Sequence, residues 1–374
     1  MKKKILIIIP SLEIGGGAER TASILSEKLS ETYRISILTF YDYEKSYSYK
    51  GELFSLKLDS KFWKKCFIIF HIYKKIKLIS PDLIISFIDH TNSLLIITKM
   101  LFSLKIPLII SVRTNVKERY KKQNKFQNFL IKILYKLSAV NKIVTLSNGV
   151  KDILIKNYYI NEKKIITIYN GINSKEVKRK TEEELNLGTI EIFQNPKIMK
   201  FITMGRFIEL KGHKSLITAF LKVKKHLPNS RLFIMGDGPL KEEYQSLIND
   251  LNLKDHIIIL GLVNNPYKYL ANSDIFVFSS LFEGFGMALL EAIACGLPVI
   301  STDCETGPRE ILNNGEYGML VRVGDSDDLA EKMITLAKNK ELLSYYVKKS
   351  SERISQFDIN MIIKKWINLI DSFL

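Results

Sequence analysis

The chain has 374 residues, 46% of them hydrophobic, and a formal net charge of +17. That length suits two domains with real cores, and no apolar run reaches the ~18 residues that a membrane-spanning helix needs. Its three cysteines (Cys66, Cys295, Cys304) lack metal-ligand spacing and fit a reduced, cytoplasmic protein with no disulfide framework, no metal and no cofactor.

The basic N-terminus runs into Ile5–Ile9, which is short for a signal peptide and has no small-residue cleavage site after it. Residues 4–9 therefore read as a first strand. A loop, Ser11–Gly17, a helix, Glu19–Leu29, and a second strand, Ile35–Phe40, follow. Leu83–Phe87, Leu108–Val112 and Ile143–Leu146 are short apolar runs typical of buried parallel strands. Helical patterns, notably Asn92–Phe102 and Lys125–Leu137, lie between them. The alternation predicts a doubly wound α/β domain ending near Asn170–Gly171. Residues 174–196, rich in Lys, Glu and Asn, read as a linker. A second alternating unit takes in Met199–Met204, Arg231–Met235, Ile257–Leu260, Ile275–Ser279 and Pro298–Thr302. The organisation drawn is a first domain over 1–180, a linker over 181–198, a second domain over 199–355 and a closing segment over 356–374.

Charge separates the two halves. Residues 1–180 hold 34 Lys and Arg against 14 Asp and Glu, and residues 181–374 hold 22 against 25. An anionic partner is expected for the first half only, either nucleic acid or an anionic membrane surface. Residues 61–79 interleave lysines with Phe62, Trp63, Phe67, Phe70 and Tyr73, and residues 117–136 add Lys117, Arg119, Lys121, Lys122, Lys125, Lys132 and Lys136. Basic residues with exposed aromatics read as an interfacial membrane helix, with a solvated lysine-rich face as the plain alternative. No nucleic-acid-binding signature is present.

Candidate site residues follow the strands. Gly16 and Gly17, in Gly15–Arg20, open the first helix as a phosphate cradle or as an ordinary tight turn. The dinucleotide pattern GxGxxG is broken by Arg20. His90 follows a predicted strand and reads equally as a cleft residue or a surface histidine; Arg113 follows Leu108–Val112. Gly205–Arg206–Phe207 and Lys211–Gly212–His213 follow the first strand of the second unit, where an arginine fork and a lysine point charge suit phosphate. Gly236–Asp237–Gly238 ends another strand, and Gly261–Tyr269, with Val263 and Asn264, follows the next. Glycine, proline and asparagine also suit plain turns at both places.

Phe282–Val299, FEGFGMALLEAIACGLPV, carries the most information. Its apolar run reads as a buried helix stopped by Gly296 and Pro298, with Glu283 in the loop before it and Glu291 inside it. A carboxylate on so apolar a helix needs a polar partner. Gly284, Phe285, Gly286 and Met287 would offer backbone N–H groups to phosphate, and the two carboxylates would hold hydroxyl groups. That combination suits a sugar nucleotide. Glu305–Ile311 is a loop into a helix. Asp325–Ser326–Asp327 matches a DxD metal pattern but precedes the predicted helix Leu329–Ala337, where Asp and Ser act as caps.

In this context the Glu283–Glu291 spacing resembles the EX7E signature of retaining GT-B glycosyltransferases of family 4, glycosyltransferase group 1. GGGAER, GRF…KGH and GDGPL are similar to further motifs of that family. The resemblance implies two Rossmann-like domains facing across a cleft, with Ile359–Phe373 crossing back to the first. It also implies transfer of a hexosyl or N-acetylhexosaminyl group from a nucleoside diphosphate sugar, UDP-linked by preference, without metal. Arg206 and Lys211 would bind the diphosphate, Glu283 the sugar and Glu291 the ribose, with Gly16 and Gly17 facing the donor phosphates, the Gly236 loop near the nucleotide base and Gly261–Tyr269, with Val263 or Asn264, beneath it. The leaving phosphate would take the acceptor proton. A lipid-linked glycan at the inner face of a bacterial membrane would account for the basic half. Where many members carry a histidine after the strand Leu108–Val112, this chain has Arg113. A UDP-sugar epimerase and a non-catalytic basic binding protein are the rival readings.

Overall fold

A computed structural model of the chain describes residues 2–14, 16–58, 67–120, 125–185 and 187–374. It divides into two compact units, the first made of Met1–Asn170 with Asn360–Leu374, the second of Gly171–Ile359.

In unit 1 the strands are β1 (Lys4–Ile9), β2 (Arg34–Thr39), β3 (Glu52–Ser55), β4 (Leu83–Phe87), β5 (Leu108–Val112), β6 (Lys142–Thr145) and β7 (Ile165–Thr167). They form one sheet in the order β3-β2-β1-β4-β5-β6-β7, each neighbouring pair parallel. Ile5–Ile9 are wholly buried, as a central strand covered on both faces requires. The helices are α1 (Gly17–Leu29), α2 (Ile68–Ile79), α3 (Asp89–Leu101), α4 (Val116–Tyr120), α5 (Lys125–Leu134) and α6 (Asn148–Tyr158). Strand order reverses between β1 and β4, so the loops after β1 and β4 flank the switch point, where open α/β sheets bind ligands.

Unit 2 begins with two helices, α7 (Ser174–Thr181) and α8 (Leu187–Gln194), in the stretch that composition presents as a linker. Phe193 of α8 stacks on Phe233, 4.2 Å between centroids, and meets Tyr269 edge-on. α7 buries only Val177, which explains why its charged sequence shows no helical stripe. The strands β8 (Met199–Met204), β9 (Ser230–Met235), β10 (Ile257–Gly261), β11 (Ile275–Phe278), β12 (Val299–Thr302) and β13 (Met319–Val321) form a parallel sheet ordered β10-β9-β8-β11-β12-β13. Its helices are α9 (His213–His226), α10 (Lys241–Asp250), α11 (Tyr267–Ala271), α12 (Met287–Ala294), α13 (Pro308–Ile311), α14 (Ser326–Lys338) and α15 (Lys340–Ile354). The switch point lies between β8 and β11.

The two sheets share a local device at the opposite, amino end. Asp82 accepts from the Lys4 N–H at 2.8 Å, and its own N–H donates to the Lys4 carbonyl. Asp274 does the same with Lys200 at 2.7 Å. Each aspartate ties the strand it precedes to the central strand beside it.

The last helix, α16 (Ile359–Asp371), packs into unit 1 through Trp366 and Ile370, both buried, and Tyr33 donates a 2.6 Å hydrogen bond to Asp371. Asp325 caps α14 by accepting from the N–H groups of Asp327 and Asp328, the capping role expected of the DSD sequence. Of the proposed basic helix over 61–79, residues 61–66 fall outside the described residues, as do Lys121, Lys122 and Gly15.

Candidate active site

The site is built from the loops that leave the carboxyl ends of the unit 2 strands. After β8 the chain turns through Gly205 and Arg206 to Phe207, which is buried edge-on against His213 and Tyr244. Gly236, after β9, has φ 144°, and a Cβ there would stand 1.9 Å from the Gly205 carbonyl, so these two loops touch through glycine backbone. Asp237 accepts the Gly238 N–H at 2.8 Å, and this bond holds its carboxyl below the usual range. Arg206 itself is exposed and has no side-chain partner among the described residues. A rigid turn thus presents a free guanidinium beside the switch point.

The same loop continues to Lys211, whose Nζ lies 2.5 Å from Glu283 Oε1. The two side chains are only 21% and 13% exposed, so the pair is not a solvent-screened surface bridge. Gly212, at φ 62°, allows this approach: a Cβ would meet the Ser279 carbonyl at 2.0 Å. The Ser279 hydroxyl donates to the Lys211 carbonyl at 2.9 Å, and the Leu281 N–H to the Leu210 carbonyl at 2.8 Å, joining the β8 and β11 loops. Behind the pair, His213 is buried and its imidazole is pushed down to about 4 by desolvation first and by Lys211 second.

Glu283 is held from several sides. Its Oε1 also accepts the Ser280 hydroxyl at 2.7 Å, and its carbonyl accepts from Thr306. Ser280 is fixed in turn, since its carbonyl accepts from Thr302 at 2.6 Å and from the Cys304 thiol at 3.2 Å. Burial pushes that thiol up to about 12, which keeps it protonated and unreactive. Gly284, Phe285 and Gly286 lead into α12, with Gly286 at φ 104° as the residue before Met287. The first N–H groups of α12 have no acceptor within the helix and form a positive end.

Glu291 is buried on α12 and accepts the Tyr267 hydroxyl at 3.0 Å. Tyr267, on α11, is the polar partner that a carboxylate on so apolar a helix requires. Val263 is half-buried in the loop between β10 and α11. Lys211, Glu283 and the turn to Met287 therefore form one cluster, while Glu291 faces Tyr267. Ser280 lies outside the sequence motifs, while Thr306 and Tyr267 fall inside Glu305–Ile311 and Gly261–Tyr269 without these contacts being legible there. The sequence shows that Glu291 needs a polar partner but not that Tyr267 supplies it.

The other candidates lie in unit 1. Gly16 precedes α1, and a Cβ there would stand 1.8 Å from the Glu19 carboxylate, so the chain's own acid is folded over this turn. Arg113, after β5, donates to Thr21 at 2.8 Å and to Asn170. Burial lowers its guanidinium to about 10. Its partners make Arg113 a brace between α1 and the end of the first pass through unit 1. His90 is exposed in the first turn of α3, which begins after Ile88, a β-branched residue at φ 73°. No group of three or more His, Cys, Asp or Glu able to hold a metal occurs among the described residues.

The family model described as Glycosyltransferase Family 4 matches residues 15–176, and that described as Glycosyl transferases group 1 matches residues 190–353. The chain is 30% identical over 366 residues to the N-acetylgalactosamine-N,N'-diacetylbacillosaminyl-diphospho-undecaprenol 4-alpha-N-acetylgalactosaminyltransferase of Campylobacter jejuni, covering 95% of this chain and 96% of the relative. The chain belongs to the family 4, group 1 glycosyltransferases. An uncharacterized glycosyltransferase of Methanocaldococcus jannaschii is 34% identical over 81% of this chain and 83% of its own length. The crystal structure of Anabaena HepE with UDP and glucose superposes with a TM-score of 0.82 over the full length of both chains at 17% identity, which shows the GT-B fold. In this glycosyltransferase the group 1 match spans Arg206, Lys211, Glu283 and Glu291, and the family 4 match spans Gly16, Gly17, His90 and Arg113.

Proposed function

We propose that the enzyme transfers a hexosyl or N-acetylhexosaminyl group from a nucleoside diphosphate sugar, UDP-linked by preference, to a polyprenyl-diphosphate-linked glycan, with retention and without a metal. The observation that carries this reading is the Lys211–Glu283 pair at 2.5 Å beside the α12 N-terminus and the unpaired Arg206. Breaking the glycosidic bond puts negative charge on the departing diphosphate, and preorganised donors at that position lower the barrier. Arg206, Lys211 and the backbone N–H groups of Gly284–Met287 are those donors. Glu283 holds sugar hydroxyls, and Glu291 holds the ribose next to its Tyr267 bond. The leaving phosphate takes the acceptor proton, so no further base is required.

The acceptor assignment is supported by the Campylobacter relative, named for a diphospho-undecaprenol acceptor, and by the exposed side of α5. Phe126, Phe129 and Ile133 are exposed there, with Lys125 and Lys132 on the same helix. An apolar stripe flanked by lysines suits the interface of an anionic membrane, and no helix among the described residues is long and apolar enough to cross one. A thermal-shift screen with UDP, GDP, ADP and their sugars, in EDTA, tests the donor assignment. A rise in Tm with one nucleotide family is expected. No rise with any of them refutes the diphosphate site.

A further inference from the structure

The chain passes between its two units twice, at Asn170–Gly171 and at Ile359–Asn360. Within unit 2 the two passages lie side by side as a parallel bridge between Ile172 and Asp358. The Ile172 N–H donates to the Phe357 carbonyl at 2.9 Å, and the Ile359 N–H to the Ile172 carbonyl at 3.0 Å. Phe357 is therefore part of this double passage by its backbone. Its side chain points elsewhere: the ring is buried and meets Phe285 edge-to-face, 5.8 Å between centroids at 68°.

Phe285 lies two residues after Glu283 and two before Met287, in the centre of the proposed donor loop. Its backbone is confined on the other side by Gly307, at φ 87°, where a Cβ would stand 2.1 Å from the Phe285 carbonyl. Its own ring is buried as well. The Phe357 ring is fixed by Arg353, whose guanidinium lies 4.9 Å from the ring centroid and donates to the carbonyls of Ile311 and Glu310 at the end of α13. A continuous chain of buried contacts thus runs from the double passage, through Phe357, to the loop that carries Glu283.

We propose that Phe357 is a positioning residue for the donor: through Phe285 it sets where Glu283 and the α12 N-terminus stand, and so ties donor affinity to the geometry of the two passages. This rests on the donor-site reading above. The test uses the full-length protein, titrated with UDP, GDP and ADP by calorimetry, together with donor KM, kcat and Tm. Phe357→Ala is expected to weaken the diphosphate that the wild type binds by about tenfold and to raise donor KM, with Phe357→Tyr restoring most of the loss. Leu336→Ala, at a fully buried position on α14 in the core of the same unit, supplies a comparable loss of stability and should leave the affinity unchanged. Equal affinities for Phe357→Ala and wild type overturn the proposal alone, as does an equal weakening by Leu336→Ala. A wild type that binds none of the three nucleotides overturns the donor site as well.

Discussion

Lys211 and Glu283 form an ion pair, so under the proposed function a diphosphate would share the lysine and a sugar the carboxylate. Glu283→Ala removes the proposed acceptor of sugar hydroxyls and leaves the lysine half-buried without its partner. Its transfer rate is expected to fall by about 10²–10³, with circular dichroism unchanged; undiminished product formation would refute the site. Tyr267→Phe strips a donor from the buried Glu291 carboxylate. The expected cost is about 1–3 kcal/mol, read as a lower urea midpoint. His213 sets a pH dependence. Its pKa is about 4 in the fold, below the ordinary value of 6.5, so the unfolded chain binds the proton first as pH falls. Stability present above pH 6.5 is therefore lost progressively between about 6.5 and 4, by on the order of 3 kcal/mol. His213→Phe should flatten that slope in urea melts at pH 7 and pH 5; a slope equal to wild type would count against His213 as its source.

The elements divide sharply in how readable they are. Central strands such as Ile5–Ile9 and Leu83–Phe87 are covered on both faces, so each is an unbroken apolar run bounded by turns. β3, β7 and β13 sit at sheet edges and left no such run; β3 has no buried residue and the other two are three residues long. The site shows the same division. Arg206, Lys211 and Glu283 stand out as charges in glycine-bearing loops after apolar strands and Glu291 as a carboxylate on an apolar helix, while the roles expected of them came from the family resemblance. The contacts that orient them, from Thr306, Ser280 and Tyr267, join residues 3 to 24 positions apart and depend on how loops meet. Two loop-scale substitutions separate the functions of these elements. Gly212→Ala drives a Cβ into the Ser279 carbonyl, so the joined β8 and β11 loops must part, and nucleotide binding should be lost. Asp325→Ala removes only the cap of α14, so about 1 kcal/mol of stability should go while turnover in EDTA stays at the wild-type rate; a turnover collapse would instead point to a metal role for that acid.

For the whole molecule the surplus of positive charge in residues 1–180 is the outstanding property. Attraction of lysines to an anionic bilayer contributes about 1 kcal/mol each near the surface and is screened by salt. Co-sedimentation with phosphatidylglycerol vesicles should therefore be strong in low salt and weak at high salt. Replacing Phe126 and Phe129 together with serine should abolish the part that survives salt; retention of that part would place the membrane contact elsewhere.

The closing helix has a consequence for how the enzyme is made. Residues 2–170 leave the ribosome before unit 2, yet the hydrogen bond between Tyr33 and Asp371 spans 338 positions and Trp366 fills the same unit. The unit begun before unit 2 is thus completed after it. While all of unit 2 is being translated, at roughly 5–20 residues per second, the surface that α16 will cover is bare for on the order of ten seconds or more. During that interval the nascent chain offers an apolar face to chaperones, and removing residues 360–374 would make that transient state permanent.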